Sequence, residues 1–592
     1  MQTQLLIIKY IVLITFFIVP ILSFSQNFQY IKSGGANNML DSSIKEEIRN
    51  MVTDSQRNLY FISPIGKDGT TLDGSIPFSV YELSPNNPDY ILVSYTCDGT
   101  YRWHKVFGGG DSDYLADVAV DSQDNVYVLG GLGQCRNAGP SYPYYSIPRI
   151  GDNDGVDFTS ASTQDLCQRS FRAKFNSNGD FQWLHYLQAP TTSALANSGF
   201  LRNAYMVNDV LHCIAILPPG TYEGGAINNT TTSVPFLYYL LKYDTSGNLI
   251  SATPFDLQMS GYTSAELRWY RNPHNGNYYV VQGNNTNSIT MTAGGISLNA
   301  ALPKILCFNE TGQYQWHREP SGNQVSFTSI NFDPNNNIYV AGIANNFTAH
   351  SFLGWNLPGS NTGVASFIMK CNPDATSYSW VTHHNILAST GGLAIQYTPS
   401  VLYYAGSIAN NPLIWGTQSI AGPGANNSFD PLLARFDPAT GACLSLQRIV
   451  GSNGFQDTFT HIEQDAAGDL ILGGFMGYDL TDSNGISSFS NGGNSDFFIA
   501  KYATQACQPL STENFEGLNL QLFPNPVRTE FTVTVKENTN YQFYTLTGVL
   551  IEDGNLSETE NTISIAHLPS GCYVLKLKSE TGKTKSIKVI KE

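Results

Sequence analysis

Short runs in which apolar and polar residues alternate, separated by polar turns, recur along most of the chain. "DVAVDSQDNVYVLGG" at Asp117–Gly131 returns as "SINFDPNNNIYVAG" at Ser329–Gly342 and as "HIEQDAAGDLILGG" at His461–Gly474. Weaker copies begin at Asn50, Asn203, Arg268 and Leu393, which makes seven. The two-residue period predicts strands, and the Asp, Asn, Gly and Pro between them predict tight turns, so each copy reads as a β-hairpin. A second strand–turn–strand motif follows each of the first six copies, as in "FRAKFNSNGDFQW" at Phe171–Trp183. Each unit of roughly 60–85 residues therefore holds four strands, and such units are the blades of a β-propeller.

The seventh unit supplies a third strand at Ser495–Cys507 and no fourth. "FQYIKSGG" at Phe28–Gly35 is similar to "WHKVFGG" at Trp103–Gly109, which ends the first unit. An open ring would leave two unpaired sheet edges, so Phe28–Ser33 is expected to close the last blade from the N-terminal side. The expected fold is all-β, a seven-bladed propeller over 27–508, with six or eight blades as competing counts. Trp103, Trp183, Trp316 and Trp380 share one place in the repeat and are expected to pack one sheet on the next, while Trp355 and Trp415 fall in connecting segments.

Beyond a linker at 509–518, short strands about ten residues apart predict a small β-sandwich over 519–592. Asp121, Asn125, Tyr127, Val128 and Gly130, with Phe171, Lys174, Gly179 and Trp183, carry a resemblance to a bacterial β-propeller repeat family, which implies architecture and no shared chemistry. In the C-terminal region Phe523-Pro524-Asn525-Pro526, Thr547-Gly548, Leu568-Pro569-Ser570-Gly571 with Tyr573, and Lys585, Lys588 and Lys591 are similar to the type A C-terminal sorting domain of the type IX secretion system of Bacteroidetes-like bacteria. That resemblance implies export across the outer membrane by the type IX machinery, removal of the domain, and release or surface anchoring. The residues also have readings of their own: the prolines stiffen an extended segment, and Gly548 and Gly571 permit turn backbones. Six lysines against two acids in the last twenty residues reverse the chain's charge locally, which suits an acidic receptor groove.

Residues 1–25 read as a secretory signal peptide: Lys9 supplies the positive region, Tyr10–Leu22 the apolar core, and Ser23-Phe24-Ser25 a small-x-small cleavage site. No transmembrane segment is expected after cleavage, and the mature chain is expected outside the cell or on its surface. The chain has 592 residues and a net charge of −16, a surface unsuited to nucleic acid. Its hydrophobic content of 42% excludes charge-driven disorder. Nine scattered cysteines form no zinc spacing. Cys135 and Cys167 bracket a long polar insertion and are the expected disulfide, whereas Cys213, Cys307 and Cys371 read as small apolar fillers. Asp152, Asp154 and Asp157 around Gly155 offer hard oxygen ligands for calcium, although an ordinary solvated acidic turn accounts for the same residues more simply. No other cofactor is expected. No phosphate loop, nucleophile elbow or zinc-protease motif is present. The reading is a binding scaffold for extracellular glycan or surface protein; the alternative is a polysaccharide hydrolase or lyase with its site on one face of the propeller.

Overall fold

In the computed structural model, an aspartate opens the turn in four of the seven repeats, Asp54, Asp121, Asp333 and Asp465, and organises its hairpin. Asp121 Oδ1 accepts the backbone N–H of Gln123 and of Asn125, both at 2.9 Å, which closes the turn locally. Its Oδ2 accepts the Tyr127 hydroxyl at 2.8 Å and lies 3.5 Å from Lys174 Nζ, so the same carboxylate ties the second strand to the third. Asp333 repeats the arrangement with Asn335, Asn337, Tyr339 and Lys370. Asp465 does so with Ala467, Asp469 and Lys501, and adds Arg57 of another sheet at 2.8 Å. Burial alone would raise Asp121, but the hydrogen bonds from Asn125, Tyr127 and Gln123 hold its carboxyl below the ordinary range.

The structure describes residues 26–37, 45–81, 88–109, 113–133, 149–151, 168–187, 199–229, 236–259, 267–283, 290–299, 301–322, 325–345, 351–356, 364–384, 394–409, 412–424, 428–507, 521–545, 549–579 and 584–592. The expected signal segment 1–25, the linker 509–518, Cys135, Cys167, Asp152, Asp154, Asp157 and Gly548 lie outside the described residues. The chain divides into two compact units, Met1–Cys507 and Gln508–Glu592, and the described residues are all-β apart from one 3-10 turn at Glu223–Gly225.

The first unit is built on seven sheets, each with four antiparallel strands as its basis. Sheet one comprises Asn50–Thr53, Leu59–Ile65, Asp89–Tyr95 and Tyr101–Gly108. Sheets two to six follow in chain order, starting at Tyr114, Phe200, Leu267, Val325 and Ala394. Sheet seven comprises Thr458–Gln464, Leu470–Met476 and Asp496–Ala503, and its fourth strand is Asn27–Gly35 from the other end of the chain. That strand runs antiparallel to Asp496–Ala503, with Phe28 opposite Tyr502 and Gly34 opposite Phe497.

Seven buried clusters each draw on two successive sheets, and the series returns on itself: Ile471, Phe497 and Ile499 of sheet seven pack with Leu59, Phe61 and Val93 of sheet one. The fourth strand of sheet seven serves both of its flanks, since Phe28 and Ile31 enter the cluster shared with sheet six and Tyr30 the cluster shared with sheet one. Burial of each such side chain contributes about 1.5–3 kcal/mol. The repeated tryptophans staple neighbours together. Trp103, Trp183 and Trp380 donate their indole N–H to Ser177, Thr245 and Pro438 carbonyls in the turn of the next sheet, at 3.0, 3.3 and 3.2 Å. Each ring needs a bare backbone above it: a Cβ on Gly179, whose φ is +83°, would stand 2.6 Å from the Trp103 ring. Trp415 is no surface residue; it is fully buried against Tyr404 and Phe436, with its N–H on Thr382 Oγ1 at 2.9 Å.

Cys213, Cys307 and Cys371 are buried free thiols. The disulfide among the described residues joins Cys97, in the turn after Asp89–Tyr95, to Cys507, the last residue of the unit, across 410 positions. It spans the same seam as the N-terminal strand, fastening the end of sheet seven to sheet one. Replacing both cysteines by serine is expected to lower the stability of the unit by about 2–5 kcal/mol. Thermal unfolding of the oxidised parent and the double variant checks this; coincident transitions contradict it.

Candidate functional site

The C-terminal unit packs two sheets on one core. Gln521–Phe523, Glu530–Thr534 and Glu560–Ser564 form one; Thr539–Thr545, Leu550–Leu556, Gly571–Ser579 and Thr584–Lys591 form the other. Phe531, Val533, Phe543, Ile563, Leu575 and Val589 fill the space between them. Alternation places Tyr573, Leu575 and Leu577 inward on Gly571–Ser579 and leaves Lys576 and Lys578 exposed.

Several of the residues singled out in this region meet at one place. Phe523–Pro524 and Asn525–Pro526 are cis peptides. The Asn525 amide behaves as a length of backbone: its Nδ2 donates to the Lys588 carbonyl at 2.7 Å and its Oδ1 accepts the Ile590 N–H at 2.8 Å. Two main-chain bonds continue the pairing, from Val527 N–H to Ile590 O at 2.8 Å and from Glu592 N–H to Val527 O at 2.9 Å. On its other side the last strand sets Lys591 opposite Gly571, Lys588 opposite Val574 and Lys585 opposite Leu577. The Tyr573 hydroxyl donates to the Pro569 carbonyl at 2.7 Å. The Pro-Asn-Pro segment and the basic ending thus form one hydrogen-bonded element, with Phe523 and Ile590 exposed beside it. Sequence spacing separated the two ends by more than sixty residues, and only the strand order brings them together.

In the first unit, the first strands of the seven sheets hold a second set of candidate residues. Counting four positions back from each turn residue gives Asn50, Asp117, Ala204, Arg268, Ser329, Ala394 and His461; two positions back gives Val52, Ala119, Met206, Tyr270, Asn331, Gln396 and Glu463. The Asp117 carboxylate joins three sheets: it accepts from the Asn50 side chain of sheet one, from its neighbour Val118 N–H at 2.8 Å, and from Ala204 N–H of sheet three at 2.7 Å. Burial raises it to about 7 against the pull of those bonds. His461 is lowered to about 3, first by burial and then by the charges of Arg268 and Arg49, so its ring is neutral. Its Nδ1 lies 3.0 Å from Thr460 Oγ1. Glu463 is raised to about 8 by burial and by the charge of Asp465, so it holds a proton at neutral pH. Arg268 donates to the Thr328 carbonyl at 2.6 Å. These residues escaped the motif search because none shares a local pattern; their common distance from the turn is the signal that finds them.

His104 and His317, beside the repeated tryptophans, are held by the hydroxyls of Tyr101 and Tyr314 at 2.7 and 2.6 Å. Among the described residues no group of three or more His, Cys, Asp or Glu is placed to hold a metal ion, and no helix is long and apolar enough to cross a membrane.

Residues 521–592 match the family described as the secretion system C-terminal sorting domain. No curated protein matches the chain. Among solved structures it is similar to a protein of unknown function from Dyadobacter fermentans, at 8% identity over 81% of this chain and 100% of that one, with a TM-score of 0.34. It is also similar to a member of the DUF4221 family from Bacteroides vulgatus, at 11% identity over 64% and 93%, with a TM-score of 0.25. The phage phi92 endosialidase gives 9% identity over 95% and 79%, with a TM-score of 0.33. None of these likenesses carries an activity across.

Replacing Asn525 by alanine removes both side-chain bonds to the last strand and is expected to loosen that strand by about 1–2 kcal/mol, with less of the chain reaching the cell surface and medium. Immunoblots of periplasmic, surface and medium fractions check this, and export at the parental level contradicts a role for the clamp. With its last residues matched to that family from Gln521 to Glu592, the chain carries a type IX secretion system C-terminal sorting domain and is exported to the cell surface or the extracellular space.

Proposed function

We propose that the exported part of this chain is a seven-bladed β-propeller acting as a non-catalytic binding scaffold for an extracellular glycan or a surface protein. Its carrier is a C-terminal β-sandwich recognised by the type IX secretion machinery. The observation that supports the propeller most is the run of seven buried clusters between successive sheets, which returns from sheet seven to sheet one through the strand Asn27–Gly35. An element closed in this way is rigid, and rigid elements present surface side chains at low conformational cost on binding. The charged groups at the repeated positions also favour a scaffold: Asp121, Asp333 and Asp465 are committed to turns and strand junctions, and Asp117 to three sheets.

A second reading keeps one observation of its own. Glu463 retains a proton at neutral pH, as the acid of a glycosidase must. The two readings separate in one experiment, in which the purified mature chain is incubated with insoluble and soluble polysaccharides. The scaffold reading expects the chain to be retained on a polysaccharide, or by a surface protein in a pull-down, with no release of reducing ends or unsaturated products. Product release that disappears in Glu463→Gln establishes the hydrolase or lyase instead.

A further inference from the structure

Where sheet six meets sheet seven, a cleft of about 310 Å³ opens beside the N-terminal strand. Small-ligand sites occupy roughly 300–1,000 Å³. Its walls combine the apolar Phe28, Ile420, Leu446 and Val450 with the polar Gln447 and Asn484. On the wall strand Cys443–Arg448 the Gln447 amide hydrogen-bonds Tyr502, and its Oε1 is buried without a hydrogen-bond partner. A buried acceptor left without a donor is a destabilising feature that a bound hydroxyl relieves.

The far wall belongs to a small sheet in which Val450–Gly451 pairs with Leu480–Thr481. The turn of that hairpin, with Ser483 and Asn484, borders the cleft. At the other end of the same strands Phe455 and Tyr478 stack, with ring centroids 5.6 Å apart and planes 18° apart. They stay 37% and 57% exposed, so the stack is presented to solvent. Gly477 permits the approach, since a Cβ there would lie 2.6 Å from the Phe455 ring. From the Asp482 turn back to Tyr478 is about 13 Å of extended chain, a span for an oligosaccharide and not a single sugar. The charges nearby are committed. Arg448 is held by Asp430 at 2.8 Å, and the Asp482 carboxylate accepts the turn N–H groups of Asn484 and Ile486 at 2.9 and 2.8 Å. The cleft therefore offers hydrogen bonds and apolar faces, and Asp482 at its rim disfavours an anion.

We infer that this cleft and the aromatic pair beyond it form a binding site for a neutral oligosaccharide, whose hydroxyls donate to Gln447 Oε1 and whose ring faces lie on Phe455 and Tyr478. The site rests on the binding-scaffold reading and names its ligand class and place. Isothermal titration of the full mature chain with cellohexaose, xylohexaose, mannohexaose and chitohexaose, with hexagalacturonic acid as the charged control, tests it. At least one neutral hexasaccharide is expected to bind and the charged one not. Gln447→Leu and Tyr478→Ala are each expected to weaken binding about tenfold or more. Gln447→Leu also removes the amide's hydrogen bond to Tyr502 and is expected to lower Tm a little, so the loss of binding is read beside Tyr478→Ala, which leaves that bond in place. Absence of binding by every neutral hexasaccharide at millimolar concentration overturns the inference, as does tighter binding of hexagalacturonic acid. A Gln447→Leu chain with binding unchanged assigns that side chain to its Tyr502 bond alone and overturns its role as acceptor for a sugar hydroxyl. Binding untouched by both substitutions overturns the cleft while leaving the scaffold reading standing; release of shorter sugars overturns the scaffold reading itself.

Discussion

The antiparallel pairing of Asn27–Gly35 with Asp496–Ala503 is the contact on which the first unit depends. Six of the seven sheets complete themselves from consecutive sequence, and each can hold its four strands by local turns. The seventh cannot, and without its fourth strand Asp496–Ala503 would present a row of unpaired backbone groups, the kind of edge that recruits other chains. The same strand delivers Phe28 and Ile31 to one flank and Tyr30 to the other, so its loss would open two hydrophobic interfaces at once. The Cys97–Cys507 disulfide crosses this junction, and covalent closure there constrains a loop of 410 positions.

Much of this was legible in the residues because the repeat's roles are local. An aspartate that caps its own turn, a tyrosine six residues on that donates to it, and a glycine under the neighbour's tryptophan all act within one unit or between adjacent ones. The missing fourth strand was legible for the same reason, as a gap in a regular series. The disulfide was not. Cys97 and Cys507 carry no spacing signal, and they become neighbours only once the two ends of the unit are joined. Trp415 lies in a connecting hairpin, and its burial follows only from the way that hairpin folds back over Tyr404 and Phe436. Asp117, His461 and Glu463 carry no local motif, since the residue type at each level of the first strands changes from sheet to sheet.

The sorting domain shows the converse. Its residues were recognisable as a set, and their physical connection emerged from strand order: Asn525 stands in for a strand residue and pairs with the backbone of Lys588 and Ile590. The lysines that drew attention as charge sit on a strand whose outer edge is thereby covered over its final residues. Each of the two units has a core of its own.

Native-state amide hydrogen exchange on the mature chain tests the closure most directly. The account predicts that the paired amides of Asn27–Gly35 exchange as slowly as those of Asp496–Ala503, the two segments opening together as one cooperative element. Exchange of Asn27–Gly35 at the rate of an exposed turn, with Asp496–Ala503 still protected, would contradict it.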